Sequence, residues 1–387
     1  MMTNITASKN RRLSVGDIKV KDIDLILAGL LFFDSLGGID GAIVTYIEYC
    51  LTAYLFLKYI KTLPSIVGSS VLLGTFSVLL AFSTWQNTHS ATWMLSGFVF
   101  GIQIISLMLV FVDQCRRLST EEVLWRIAVL FALVLLVNDM TMVLLPYDRD
   151  YSGTAYIAGN KFGVSYAHCL LVGLLMVVKR GSDALIRCVA IVGLVMNYYA
   201  GSSTGAVMMA AMLMLTFFPD RLRQIISGPI VLAAAIAALN ILIWGAADLL
   251  HNPFVQDFIV NILGKSADLT GRERLYKATL DFVAEKPWLG WGYLTDIYRI
   301  TFGYGNAQNG LFHLVTQSGI LGTVLYFSGL FSSLAKKKIH GLKYFGLYAF
   351  LFAMILGSAV EINLSSQFAF GVALLCGALC GDVRTEE

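Results

Sequence analysis

Arg272 and Arg274 stand where a helix should begin. Thr270-Gly271-Arg272-Glu273 has the Thr-x-x-Glu spacing of a capping box, and Leu275, Ala278 and Phe282 follow at intervals of three and four. The pattern predicts a helix from about Gly271 to Lys286, stopped by Pro287. Positive side chains in a first turn oppose the helix dipole by ~0.3–1 kcal/mol each, so the choice is locally unfavourable unless an anion binds there. Helix-start N–H groups and two guanidinium forks suit a diphosphate. Surface pairing of the arginines with Glu273 or Asp281 is the alternative.

A second group is Gly159-Asn160-Lys161-Phe162-Gly163-Val164-Ser165-Tyr166-Ala167-His168. Lys161 could neutralise a phosphate, and His168 falls about two turns deeper on the same helical face. A polar residue at that depth points to a functional cavity, with a satisfied helix contact as the plainer alternative. Glu361, between the last two apolar runs, is a carboxylate of similar standing. In the turn Pro287-Trp288-Leu289-Gly290-Trp291-Gly292, both Trp288 and Trp291 suit either a bilayer's headgroup level or the face of a sugar ring. Asn306-Ala307-Gln308-Asn309-Gly310 then brings amides able to bond hydroxyls to the mouth of the next apolar run.

These residues belong to a chain that is 57% hydrophobic and 14% charged, with a mean hydropathy of +0.73. Soluble domains carry roughly 25% charged residues, so a water-soluble fold is excluded. Backbone groups in lipid must bond within their own segment, and repeated runs of about 20 apolar residues therefore mean helices. A net charge of +3 is too small to suggest a nucleic-acid partner, and no stretch interleaves basic and aromatic residues, so none is expected. The six cysteines lie in or beside apolar runs without metal-ligand spacing and are read as packing residues.

Hydropathy predicts twelve spans: 22–38, 40–58, 65–84, 92–113, 124–146, 162–178, 185–200, 203–218, 226–248, 308–335, 344–360 and 367–383. The run from Leu185 to Phe218 is split by Gly201-Ser202-Ser203-Thr204 and is read as two spans rather than one long tilted helix. With the N-terminus cytoplasmic, 20 of the 28 Lys and Arg residues fall in inside segments, as the positive-inside rule requires. Six of the other eight sit in one outside loop, 249–307, whose 59 residues far exceed the roughly 12–15 beyond which a connection is functional or disordered. The expected fold is all-α, a polytopic membrane helix bundle of about twelve transmembrane helices with one large extracytoplasmic loop. Its parts are a cytoplasmic tail 1–21, spans one to nine over 22–248, the loop with short helices over 249–307, spans ten to twelve over 308–383, and a tail 384–387.

Taken in order, Thr270-Gly271-Arg272, Leu275-Tyr276, Pro287 with Gly290 and Gly292, Gln308-Asn309-Gly310-Leu311 and Gly319-Ile320-Leu321-Gly322 resemble the O-antigen ligase and polymerase family. That family shows a Ser/Thr-Gly-Arg box, a Pro-x-x-Gly-x-Gly turn, and a His-Asn pair entering a span with a Gly-Ile/Leu-x-Gly end. Ser202-Ser203-Thr204 is similar to its Ser-x-Ser/Thr motif. Asn160-Lys161-Phe162 with Ser165, Tyr166 and His168 looks like its capsule-polymerase branch, often called Wzy-type. The motifs cover roughly residues 150–325.

The resemblance implies an inverting glycosyl transfer on the outer face of a bacterial cytoplasmic membrane, with undecaprenyl-diphosphate-linked oligosaccharides as donor and acceptor. It implies no nucleotide sugar, metal or other cofactor; the partners are the lipid-linked glycans, membrane lipid and, as a candidate, a chain-length regulator. Arg272 would clamp the diphosphate with help from Arg274 and Lys161, and Asn160, Ser203, Trp288, Trp291 and Asn309 are the candidate glycan contacts. One departure stands out. Gln308 occupies the place of the family's His, and an amide cannot act as a general base. His168, His313 and Glu361 are the candidates for that role, unless departure of the diphosphate alone carries the reaction. A ligase moving the finished glycan to another acceptor is a rival within this chemistry. A transporter is a rival outside it, and would place binding residues at mid-membrane in related halves.

Overall fold

The computed structural model describes residues 20–33, 41–145, 156–245, 257, 261, 272–335 and 342–382, which form helices and no named strand. The helices are α1 Val20–Leu30, α2 Gly41–Tyr59, α3 Val67–Thr88, α4 Ala91–Arg117, α5 Thr120–Leu144, α6 Lys161–Val178, α7 Asp183–Tyr199 and α8 Ser203–Leu215. They continue as α9 Asp220–Ile226, α10 Pro229–Gly245, α11 Arg272–Glu285, α12 Ile297–Phe302, α13 Gly310–Ala335, α14 Phe345–Gly357 and α15 Ser366–Asp382. Side-chain caps set several starts: Ser90 accepts from Trp93 N, Ser119 from Glu122 N, Ser182 from Leu185 N and Ser202 from Gly205 N. The break expected at 201–204 therefore falls between α7 and α8.

The stretch Gly41–Thr88 is 48 residues long, about 72 Å of helix and more than twice a ~30 Å bilayer core. It doubles back. From Tyr49, bonded to Ser96, to Tyr59, whose hydroxyl accepts from Gln114 at 2.8 Å, α2 runs parallel to α4. From Thr62, bonded to Asp113, to Ser77, bonded to the Phe98 carbonyl, the chain returns along the same helix. The reversal lies in the 3-10 segment Ile60–Ile66, which contains Pro64.

Among the described residues, five stretches are able by length and composition to cross a membrane, or six if the pair Asp220–Ile226 and Pro229–Ile243, bent by 77°, counts as one span. The expected 226–248 span is this bent pair. The expected 22–38 span is helical from Val20 to Leu30, and residues 34–40 lie outside the described residues. The 13 residues of α8 or of α14 reach only ~20 Å. α15 is buried almost throughout, because Gly371 and Gly377 admit Phe350 and Phe111 within distances no Cβ would allow.

The basic loops meet at one end of the bundle. Arg116 bonds Ser65, Arg180 pairs with Glu121 and Glu122, and Lys179, Arg223 and Lys343 line one cavity with Asp220 and Asp382. Near this end α1 is held by Asp24, only 2% exposed, whose carboxylate takes Lys58 Nζ at 2.8 Å and the hydroxyls of Tyr54 and Tyr59.

At the opposite end α13 is broken at Gly319, whose φ of 64° and ψ of −177° suit glycine alone. Such a break frees backbone groups that lipid cannot satisfy. The Pro287–Gly292 turn satisfies them. Trp291 N and Gly292 N donate to the carbonyls of Thr316 (2.7 Å) and Gln317 (2.9 Å), while Ile320 N and Leu321 N donate to those of Pro287 (2.7 Å) and Trp288 (3.3 Å). A Cβ on Gly290 would lie 2.5 Å from Gly319 N, and one on Gly319 would lie 2.3 Å from the Trp288 carbonyl carbon. α3 closes the joint: Ser83 Oγ donates to Gly290 O at 3.1 Å and Thr84 Oγ1 accepts from Tyr293 N at 2.8 Å.

α11 ends at Glu285, before Pro287, as expected. Its inner face, Leu275, Thr279 and Phe282, packs on Tyr298 beside Phe312. The Tyr298 hydroxyl lies 2.9 Å from Thr279 Oγ1 and 2.7 Å from Thr316 Oγ1, and burial pushes its pKa up.

Gly319→Ala should lower the melting temperature of the detergent-solubilised protein, since the backbone conformation alone costs a non-glycine residue about 1–3 kcal/mol before the clash with Trp288. Gly74→Ala, where an added Cβ meets nothing within 4 Å, should leave it unchanged or raise it. Equal melting of the two variants would show that the joint does not hold α13 together.

Candidate functional site

Asn160 accepts from Phe162 N (2.9 Å) and Gly163 N (3.0 Å), which fixes Lys161 as the first residue of α6. One turn on, Ser165 Oγ lies within hydrogen-bond reach of Lys161 O (2.8 Å), Ser202 Oγ (3.0 Å) and Asn197 Oδ1. The α7–α8 break is thereby stitched to the start of α6. Ser203 is the half-buried first residue of α8, and Thr204 Oγ1 donates to Glu361 Oε1 at 3.4 Å.

Facing them, the segment 306–310 lies along the turn after α14. Gly310 N donates to Ser358 O at 2.8 Å, and Asn309 Nδ2 lies 3.3 Å from Ala359 O and 3.2 Å from Asn240 Oδ1. Asn309 Oδ1 accepts from Phe312 N, so its amide shapes the loop. Gln308 sits at a φ of 49°, with its N–H bonded to Asn306 Oδ1 at 2.8 Å. The Tyr276 hydroxyl reaches the carbonyls of Gln308 (3.1 Å) and Ala359 (2.9 Å), tying α11 to the same place.

Asn160, Asn306, Glu361 and Asn363 line one cavity of about 210 Å³, backed by Phe32 and Phe33. Asn363 is 1% exposed and neither atom of its amide has a partner among the described residues, a costly state for a buried polar group. Position 272 opens α11 and shares the Tyr276 face by its spacing of four; the Arg272 side chain and the Thr270-Gly271 cap lie outside the described residues. Arg274 is exposed, and Lys161 Nζ lies 5.2 Å from the centre of the Phe162 ring.

The three candidate bases go to three places. His168 is buried, with Nδ1 2.9 Å from Val164 O and Nε2 3.1 Å from Asp139 Oδ2, which leaves neither nitrogen open to a substrate hydroxyl. His313 lines a separate cavity, its Nε2 3.0 Å from Gln317 Nε2. Glu361 is the one that shares the cavity with Asn160. Of the two tryptophans, Trp288 is 67% exposed. Trp291 is packed, donating Nε1–H to Phe282 O at 2.9 Å under Lys286 Nζ, 3.8 Å from its ring centre. Asp139 and Asn363 were missed from the sequence. Asp139 had a legible signal, as a carboxylate inside the apolar run 124–146. Asn363 had none.

Residues 188–327 match a family model described as O-Antigen ligase. The match runs from α7 into α13 and takes in the 202–204 break, α11, the Pro287–Gly292 turn and Gln308-Asn309, while Asn160, Lys161, His168 and Glu361 lie outside it. It agrees with the family that the motifs resemble. No curated protein matches the chain.

Half-buried Asp139 answers the ring of buried His168, and removing one partner leaves the other's polar group unanswered at a cost of about 1–3 kcal/mol, while removing both costs less. Asp139→Asn and His168→Gln should therefore each destabilise the solubilised protein, and the double variant should recover part of the loss. Additive losses in thermal unfolding would dissolve the pair as a structural unit.

Proposed function

Taking the chain as an integral membrane protein of the O-antigen ligase and polymerase family, we propose that it joins lipid-diphosphate-linked oligosaccharide repeat units on the outer face of a bacterial cytoplasmic membrane. The observation that carries this reading is the convergence of Asn160, Asn306 and Glu361 on one cavity, with the α6 start and the α7–α8 break at its rim. The acceptor's hydroxyl oxygen attacks the donor's anomeric carbon on the face opposite the diphosphate. The carbon–oxygen bond to the diphosphate breaks, its electron pair leaves with the lipid diphosphate, and the configuration inverts. Arg272 clamps the leaving diphosphate, with Arg274 and Lys161 adding charge. Glu361 takes the hydroxyl proton, since the Gln308 amide is unable to and neither His168 nor His313 lines this cavity. Asn160 lies at the glycan's edge, Ser203 adjoins it through the neighbouring Thr204 that bonds Glu361, and exposed Trp288 is available to a sugar face.

Cytoplasmic termini and an outside 249–307 segment belong to the same reading, with the 41–88 stretch making two passes. They are supported by the basic loops gathering at the end opposite the cavity and by the doubling back of 41–88. A ligase moving the finished glycan to another acceptor would use the same chemistry, and the matched family model spans residues shared by both readings. The products separate the two, a ladder of lengths against a single transfer.

Given lipid-linked repeat units extracted from producing cells, Glu361→Gln should lower polymer formation by about 10²–10⁴-fold. Arg272→Ala should abolish it at unchanged protein level, and Arg272→Lys should restore little, because a point charge does not reproduce a bidentate fork. Full-length polymer from both Glu361→Gln and Arg272→Ala would overturn the assignment. In a background with Cys50→Ser and Cys188→Ser, Asn306→Cys should react with an impermeant maleimide on intact cells and Lys343→Cys should not. Labelling of both positions would overturn the topology.

A further inference from the structure

We infer that a second cavity, across the segment 362–366 from the first, binds the glycan that accepts the transfer. The inference rests on the transfer reaction proposed above. The cavity encloses about 340 Å³, and Ile362 and Ser365 line both cavities, so a ligand in each would meet at this segment, beside Glu361.

The wall decides what fits. Glu48 of α2 and Gln103 of α4 are polar residues inside apolar helices, and such residues are kept where they face a cavity rather than lipid. Gln103 lies twelve residues into α4, ~18 Å along the helix, so the cavity reaches well inside the bundle. Its half-buried side-chain amide makes no hydrogen bond to another described residue. Across from it, His313 is bonded to Gln317 through Nε2 and keeps a buried Nδ1 without a partner among the described residues. Tyr293 stacks on Phe100 with ring centres 5.5 Å apart and planes 21° apart, which makes a flat apolar wall. Amides, a carboxylate and an aromatic wall complement a sugar, with hydroxyls on its rim and C–H bonds on its faces. Among the described residues no Lys or Arg lines the cavity, so nothing in this lining answers the charge of a diphosphate, and that end of a lipid-linked glycan is disfavoured here. The end that remains is the one that supplies a hydroxyl. α2 and α4 also lie outside the matched residues 188–327, so this wall is where acceptor choice would be set independently of the shared segment.

The probe is the free repeat-unit oligosaccharide, released from the cells' own polymer by partial hydrolysis; it has hydroxyls to accept with but no diphosphate to leave. In a background with Cys50→Ser and Cys188→Ser, Gln103→Cys should react with N-ethylmaleimide, and the free oligosaccharide should slow that reaction. With lipid-linked donor, Gln103→Ala and Glu48→Gln should raise KM for the free oligosaccharide about tenfold each, roughly 1.4 kcal/mol, while the donor's KM and kcat stay near those of the unaltered protein. If Gln103→Ala does not fold, the nearly isosteric Gln103→Glu carries the same test. If the oligosaccharide is extended with an unchanged KM in both variants and leaves the thiol of the Gln103→Cys variant unprotected, the acceptor binds elsewhere and this inference alone falls. If the unaltered protein transfers nothing to lipid-linked or free glycan, the polymerase reading falls and takes the inference with it.

Discussion

A helix cannot stop inside a membrane unless something answers its backbone, and at Gly319 the answer is a turn from earlier in the chain. Four N–H···O bonds run between the Pro287–Gly292 turn and the broken ends of α13, two in each direction. This joint fixes where the segment after α11 enters the bundle. Tyr298 is then held under α11, Tyr293 against Phe100, and the 306–310 segment along the turn after α14. Both cavities take part of their wall from residues downstream of the joint. Three glycines make the approach possible, and each occupies a backbone position at positive φ where a side chain would collide with a neighbouring main chain.

Most polar side chains in this bundle serve the backbone. Serines cap helices, Asn160 and Asn309 hold N–H groups, and Thr84 and Ser83 hold the turn. Against that background the few buried polar atoms without a partner among the described residues stand apart. Nδ1 of His313 belongs to a residue lining one cavity, and the Asn363 amide to a residue lining the other. Buried polar atoms are expensive when unanswered, and although those of Thr52, Asp113, Arg187 and Arg223 line neither hollow, each of the two hollows has one residue of this kind in its wall.

Local signals in the sequence reached as far as local physics does. Helix 272–285, its stop before Pro287 and the break at 201–204 follow from spacing and turn residues within a few positions, and the structure has them where they were expected. The motifs Pro-x-x-Gly-x-Gly and Gly-Ile-Leu-Gly were both visible, but their interlocking was not, because hydrogen bonds between backbones carry no side-chain signature. Asn160 and Glu361 were singled out separately; that they share a cavity depends on how α6, α8 and α14 pack, which periodicity does not encode. Hydropathy also treats every apolar run alike, and so it did not separate long helices from the short α8 and α14 or foresee that α15 is buried nearly throughout. The partner of His168 was missed because Asp139 was absorbed into an apolar average.

The clasp at Asp24 bears on how the chain enters its membrane. α1 has only eleven residues, and its buried carboxylate is answered by Lys58 and two tyrosines that all belong to α2. At about 5–20 residues per second, a ribosome adds Lys58 only ~1–6 s after Leu30, the last residue of α1. During that interval α1 carries an unneutralised charge and is too short to fill a ~30 Å core, so it has no favourable place in lipid by itself. Its stable insertion must await α2, so the first two helices partition as one hairpin.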